Sequence, residues 1–222
     1  AEINGIPVTA IGVAAFSENT LLRKVSFPTT ITRIEDRAFC WCENLLEIVL
    51  PGGLIHIGIE AFRYTRLATL ALPDSVTSVG YSAFRDTSLQ SVHLGTGLRR
   101  IEPWTFSECY GLENIIIPAN IQLIGRESFF WSGITSLTLE GQVTIEEEAF
   151  YDYYNGDGNL QAIYCRAAPP VLETSSVPPK TRIYYWEGTP GWNGIRQLDG
   201  HPVIMLPTGS GIPAPEPEPA VA

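Results

Sequence analysis

Apolar positions along this chain return at a fixed distance rather than in local helical or strand runs. Phe16, Phe39, Phe62, Phe84, Phe106, Phe129 and Phe150 are separated by 23, 23, 22, 22, 23 and 21 residues. A small residue precedes each: Ala15, Ala38, Ala61, Ala83, Thr105, Ser128 and Ala149. Five residues before each Phe stands Ile11, Ile34, Ile57, Val79, Ile101, Ile124 or Ile145, always followed by Gly or Glu. Eight before it come Val8, Ile31, Leu54, Val76, Leu98 and Ile121, and the shortened seventh unit breaks the column. A period of this length marks a stacked repeat, in which one unit cannot bury its own apolar side and its neighbour does so.

After each Phe a polar turn leads to an apolar-x-apolar triplet, as in Ile48-Val49-Leu50, Leu70-Ala71-Leu72 and Leu137-Thr138-Leu139. Alternation with period two predicts a short strand with its flanking residues inward and the middle one outward. Pro28, Pro51, Pro73 and Pro118 end four of these triplets, where a missing ladder donor is tolerated. Coils stacked at about 4.8 Å predict a parallel sheet along one face of a body roughly 35 Å long. The small column beside the Phe fits a place where coils approach closely.

The unit Ile57-Gly58-Ile59-Glu60-Ala61-Phe62, polar turn, Leu67-Ala68-Thr69-Leu70-Ala71-Leu72-Pro73 resembles the BspA-like leucine-rich repeats of bacterial surface and secreted proteins. The resemblance covers about residues 3 to 165 and implies a β-rich solenoid: a right-handed leucine-rich-repeat superhelix of about seven coils with little or no α-helix. The segment from Ile183 to Trp192 also resembles an end segment of such proteins. Three parts are therefore expected: repeats over 1–165, a C-terminal cap over 166–206 and a Pro-rich linker or tail over 207–222. Relatives of this kind include adhesins, so the resemblance implies a surface location and binding without catalysis.

Charge narrows the partners. With 14 basic and 24 acidic residues, a formal charge of −10 disfavours nucleic acid and anionic membrane surfaces. No apolar run reaches the roughly 18 residues a membrane span needs. The chain opens at Ala1-Glu2 without a secretory n-region or h-region and is read as a processed or trimmed fragment, which leaves secretion open. Leu206-Pro207-Thr208-Gly209 is one residue short of a sortase-type signal and reads as linker.

Candidate chemistry is sparse. His56 and His93 fall in repeat columns that place them toward solvent, and His201 falls in the expected cap. No nucleophile elbow, zinc-protease motif or phosphate-binding glycine loop occurs. Glu146-Glu147-Glu148 reads as a solvated charge run rather than an acid/base pair. The irregular loop Tyr151 to Asn159 offers Asp and Asn oxygens, but Leu160 stands where a calcium loop needs Gly and no closing Glu follows. Neither a metal nor a cofactor is expected.

A partner, protein or glycan, is expected on one of two surfaces. Turns beside the Phe column carry Trp41, Tyr64, Trp104, Phe130 and Trp131, and clustered aromatics mark recognition surfaces, although some can serve as packing over the coil edges. The outward strand column, uncharged, includes His93 and Tyr164. The alternative is a structural spacer whose adjoining domains carry the activity. Assembly is expected to be monomeric or weakly end to end through the N-terminal coil.

Register also separates the four cysteines. Cys42 and Cys109 share a column three coils apart, roughly 14 Å, whereas a disulfide needs Cα atoms within about 7 Å. Cys40 and Cys42 are too close in sequence for an ordinary bridge, and Cys165 replaces an apolar strand residue. All four are expected to be free thiols: alkylation of the denatured chain without reductant should add four adducts, and a mass gain of two protons per bridge on reduction would contradict this.

Overall fold

The computed structural model describes residues 2–3, 5–151 and 158–208. It is a parallel β-solenoid with no helix among the described residues. The triplets form the main face in the register their spacing predicts: Lys24–Ser26 pairs with Glu47–Val49, and Thr69–Ala71 with Ser91–His93. Beyond these, Asn114–Ile117, Ser136–Leu139 and Ala162–Cys165 pair in sequence order. Ile115, Leu137, Ile163 and Ile183 are buried in one inward column. At the turn after the strands, the carbonyls of Pro28, Pro51, Pro73 and Pro118 accept from the N–H groups of Ile31, Leu54, Val76 and Ile121, whose side chains enter the core.

About nine turns are present rather than seven. Arg182–Trp186 and His201–Leu206 extend the main face past residue 165, in parallel with Ala162–Cys165 and with each other. Their coils lack the small-residue-Phe signature, so a count by that signature stops early. Val177, five residues after Leu172, stands buried at the Phe position of the eighth coil, and Trp192 is buried elsewhere in the cap, stacked on Tyr185 at 4.8 Å and donating from its indole to the Ala167 carbonyl. Gln197–Leu198 folds back antiparallel on the last strand.

A second face carries two-residue strands at the Ile column. Ala10–Ile11, Arg33–Ile34, His56–Ile57 and Ser78–Val79 make one ladder, and Arg100–Ile101 through Val171–Leu172 another. This face adds to the expected parallel sheet, because the inward isoleucines pair their backbones as well as their side chains.

The phenylalanines stack along the whole repeat. Successive centroids are 5.2, 5.2, 5.4, 5.8, 5.5 and 5.0 Å apart and nearly parallel. Phe39, Phe62 and Phe84 are wholly buried, whereas Phe16 in the first coil is 39% exposed. Burial depends on a neighbour on each side, so Phe84→Ala should cost about 3–5 kcal/mol in urea unfolding, and Phe16→Ala much less. Equal losses at the two positions would contradict a core built by stacking.

Candidate functional site

Between the Ile column and the polar turn the chain crosses an arch in which two residues per coil take left-handed backbone. Two residues before Phe these are Ala14, Arg37, Glu60, Ser82, Trp104, Glu127 and Glu148; two after it they are Glu18, Trp41, Tyr64, Asp86, Glu108 and Trp131, all with φ between 52° and 62°. None is glycine, and each such residue costs roughly 1–2 kcal/mol. The compensation is visible in the hydrogen bonds. N–H groups of Glu18, Trp41, Tyr64, Asp86, Glu108 and Trp131 donate to the carbonyls of Cys40, Arg63, Arg85, Ser107, Phe130 and Tyr151 in the next coil. Four of the aromatics singled out from sequence, Trp41, Tyr64, Trp104 and Trp131, stand at these left-handed positions.

The seven candidate residues do not converge on one place. Trp41 and Tyr64 stack on each other at 3.7 Å, with the Arg63 guanidinium 4.6 Å from the Tyr64 ring centre. Trp104, Phe130 and Trp131 form a second group with Arg85 4.5 Å from the Trp104 centroid. Within it Phe130 is only 5% exposed and Trp104 and Trp131 are half-buried. His93 lies exposed on the main sheet face. Tyr164 is farther along that face, stacked on Tyr184 at 5.1 Å and tilted toward Trp186. Asp152 to Asp157 of the irregular loop, and the tail from Gly209 onward, fall outside the described residues.

Ion pairs that sequence reasoning missed run between the aromatics. Glu60 receives Arg37 Nε at 2.7 Å and also pairs with Arg63; Arg85 bonds Glu108. Burial works against the Glu60 charge, but hydrogen bonds from the two arginines outweigh it and hold its carboxyl below the usual range. A signal was available: Arg37 and Glu60 share a column in adjacent coils.

Beside this saturated strip runs a groove. Its floor is the buried column three residues after each Phe, where the Thr65 and Thr87 hydroxyls donate to the Phe62 and Phe84 carbonyls. The left-handed column forms one wall, and residues four after each Phe form the other. A cavity of about 460 Å3 opens between Tyr64, Asp86, Arg66 and Tyr110, and a second of about 310 Å3 between Glu18, Thr20 and Trp41; Glu43 borders both. Asp86 is held above its ordinary range by burial and then by the neighbouring Glu108 charge.

Two of the cysteines, Cys42 and Cys109, lie in the buried column beneath the groove, Cys109 Sγ 3.2 Å from the Thr87 hydroxyl. All four are buried and unpaired, and burial pushes Cys109 and Cys165 up to about 12 and Cys40 to about 11. Thiolate nucleophiles are therefore scarce at neutral pH. Among the described residues no group of three His, Cys, Asp or Glu side chains is placed to hold a metal ion, and no helix is long and apolar enough to cross a membrane.

A parallel solenoid whose chemistry is confined to surface columns defines a leucine-rich-repeat protein. The model of the BspA type leucine rich repeat region matches in six copies over residues 3–65 and 32–156, and the chain belongs to that family. Among solved structures, a leucine-rich repeat protein of Bacteroides ovatus aligns at TM-score 0.50 and 18% identity over 90% of this chain. The chain spans 65% of that protein's length. The pneumococcal vaccine antigen PcpA aligns over 92% of this chain and 72% of its own at 16% identity and TM-score 0.38. A leucine rich cell surface protein of Faecalibacterium prausnitzii aligns over 94% and 72% at 15% identity and TM-score 0.37. No curated protein matches the chain in sequence.

The raised Asp86 carboxyl has a stability consequence with a definite sign. A carboxyl whose folded value lies above its unfolded one contributes stability below pH 3.8 and loses it as pH rises through the folded value. Asp86→Asn should therefore raise Tm by about 1–3 °C at pH 7, with the gain shrinking toward zero near pH 3.8. A lower Tm for the variant at pH 7, measured calorimetrically, would show that the ionised carboxylate stabilises the fold.

Proposed function

We propose that this chain is a non-enzymatic binding module of a bacterial surface or secreted protein, recognising a protein or glycan through its rigid side-chain columns. The observation that carries this reading is the arch. Left-handed backbone at Trp41, Tyr64, Trp104 and Trp131, with coil-to-coil hydrogen bonds at Trp41, Tyr64 and Trp131, fixes where these side chains leave the coil edge, and preorganised aromatics are efficient contact groups. Membership of the BspA-type family and likeness to a protein described as a cell surface protein support an extracytoplasmic location. In this reading residues 1–165 carry the recognition columns, and 166–206 close the apolar end of the stack.

Protein and glycan arrays probed with the labelled chain, alongside Trp41→Ala and Trp131→Ala, test it. The expected result is saturable binding that at least one variant weakens about tenfold while Tm falls by only a few degrees. Lower Tm with unchanged binding would make the indoles packing groups. No binding on either array would favour a structural spacer.

A further inference from the structure

The groove beside the arch differs from its surroundings in how its polar groups are used. On the saturated strip every arginine has a carboxylate: Arg37 and Arg63 have Glu60, and Arg85 has Glu108. In the groove, Glu43, Arg66, Asp86, Ser88 and Gln90 line one cavity, yet none has a side-chain hydrogen bond or ion pair among the described residues. Glu43 and Arg66 occupy the same column in adjacent coils, about 4.8 Å apart in backbone, and still do not pair. The set offers donors from Arg66 and Gln90, acceptors from Glu43 and Asp86, and a hydroxyl that does both.

We propose that this groove is a binding site for a neutral oligosaccharide, lying along the stack with successive rings on successive coils. It rests on the reading of the chain as a binding module and names the ligand class and the place. Four observations favour a neutral sugar. Mixed, unspent donors and acceptors suit hydroxyls, which both give and accept hydrogen bonds. Aromatic borders at Trp41, with 43% of its surface open, and at Tyr110, 63% exposed, offer apolar surface to the C–H side of a pyranose, while Tyr64 lies against Trp41 and Arg63 and backs the wall. The repeat distance is close to the advance of one pyranose ring along a chain. Charge disfavours anionic sugars: two carboxylates and a net charge of −10 repel sulfated or sialylated chains, while Arg66 opposes a wholly basic ligand, the rival that the test includes. An apolar ligand would leave these polar groups without partners.

An Arg66–Glu43 pair at this exposed edge would be weak, so a ligand that bonds both groups faces little competition from it.

Isothermal titration calorimetry of the 222-residue chain with cellohexaose, chitohexaose, maltohexaose and mannohexaose tests the proposal. At least one should bind saturably, and Arg66→Ala and Gln90→Ala should each weaken it by about tenfold or more, with Tm unchanged because both side chains are exposed. His93→Ala, on the sheet face, should leave it as it is. Absence of binding by all four sugars overturns the proposal. So does binding of a dodecalysine peptide, weakened by Asp86→Asn, when no sugar binds. A partner found on the arrays that both groove variants retain leaves the binding module standing and removes the groove, whereas empty arrays remove both.

Discussion

The coil edge of this protein depends on one backbone compromise: in the six coils from Phe16 to Phe129 the chain turns left-handed twice without glycine. That conformation is unfavourable for Arg37, Glu60, Trp41 or Tyr64 taken singly. It persists because it aims the N–H at the carbonyl of the next coil, so that the arch becomes a ladder. The bonds Phe39 to Ala61 and Phe62 to Ala83 belong to the same ladder and hold the aromatic rings in register inside it. Phe stacking and arch bonding are thus two sides of one contact between coils, which is why the small residue before Phe recurs.

The same geometry sorts side chains by column. From the second coil on, positions directly before and after the inward Phe are buried or half-buried; two residues away on either side most side chains project outward from left-handed backbone, Ser82 being buried. Where adjacent coils carry opposite charges there, as at Arg37 and Glu60, the edge ties itself together. Where the next column over carries Glu43, Arg66 and Ser88, the groups remain available and frame a groove. A solenoid makes this possible because each coil contacts only its neighbours, so the surface can vary from coil to coil while the core does not.

Much of the architecture was legible in the chain. The Phe period determined the stacking, the triplets determined the main sheet and its inward residues, and the column position of Cys42 and Cys109 placed them too far apart to meet. The two later coils were less legible because Val177 stands where the Phe signature would be and the rings of Tyr185 and Trp192 pack together instead. Site residues were legible as columns but not as neighbours: Trp41 with Tyr64 followed from adjacency, whereas the burial of Phe130 and the Tyr164–Tyr184–Trp186 cluster did not.

By itself, then, the sequence determined the repeat, its register and the direction of most side chains, because a fixed period makes every coil experience the same packing demand. Only the tertiary structure decided the left-handed arch, the second ladder, the ion pairs and the groove. These arise from contacts between residues about 22 positions apart, and their outcome depends on whether facing groups in successive coils neutralise one another or stay open to a partner.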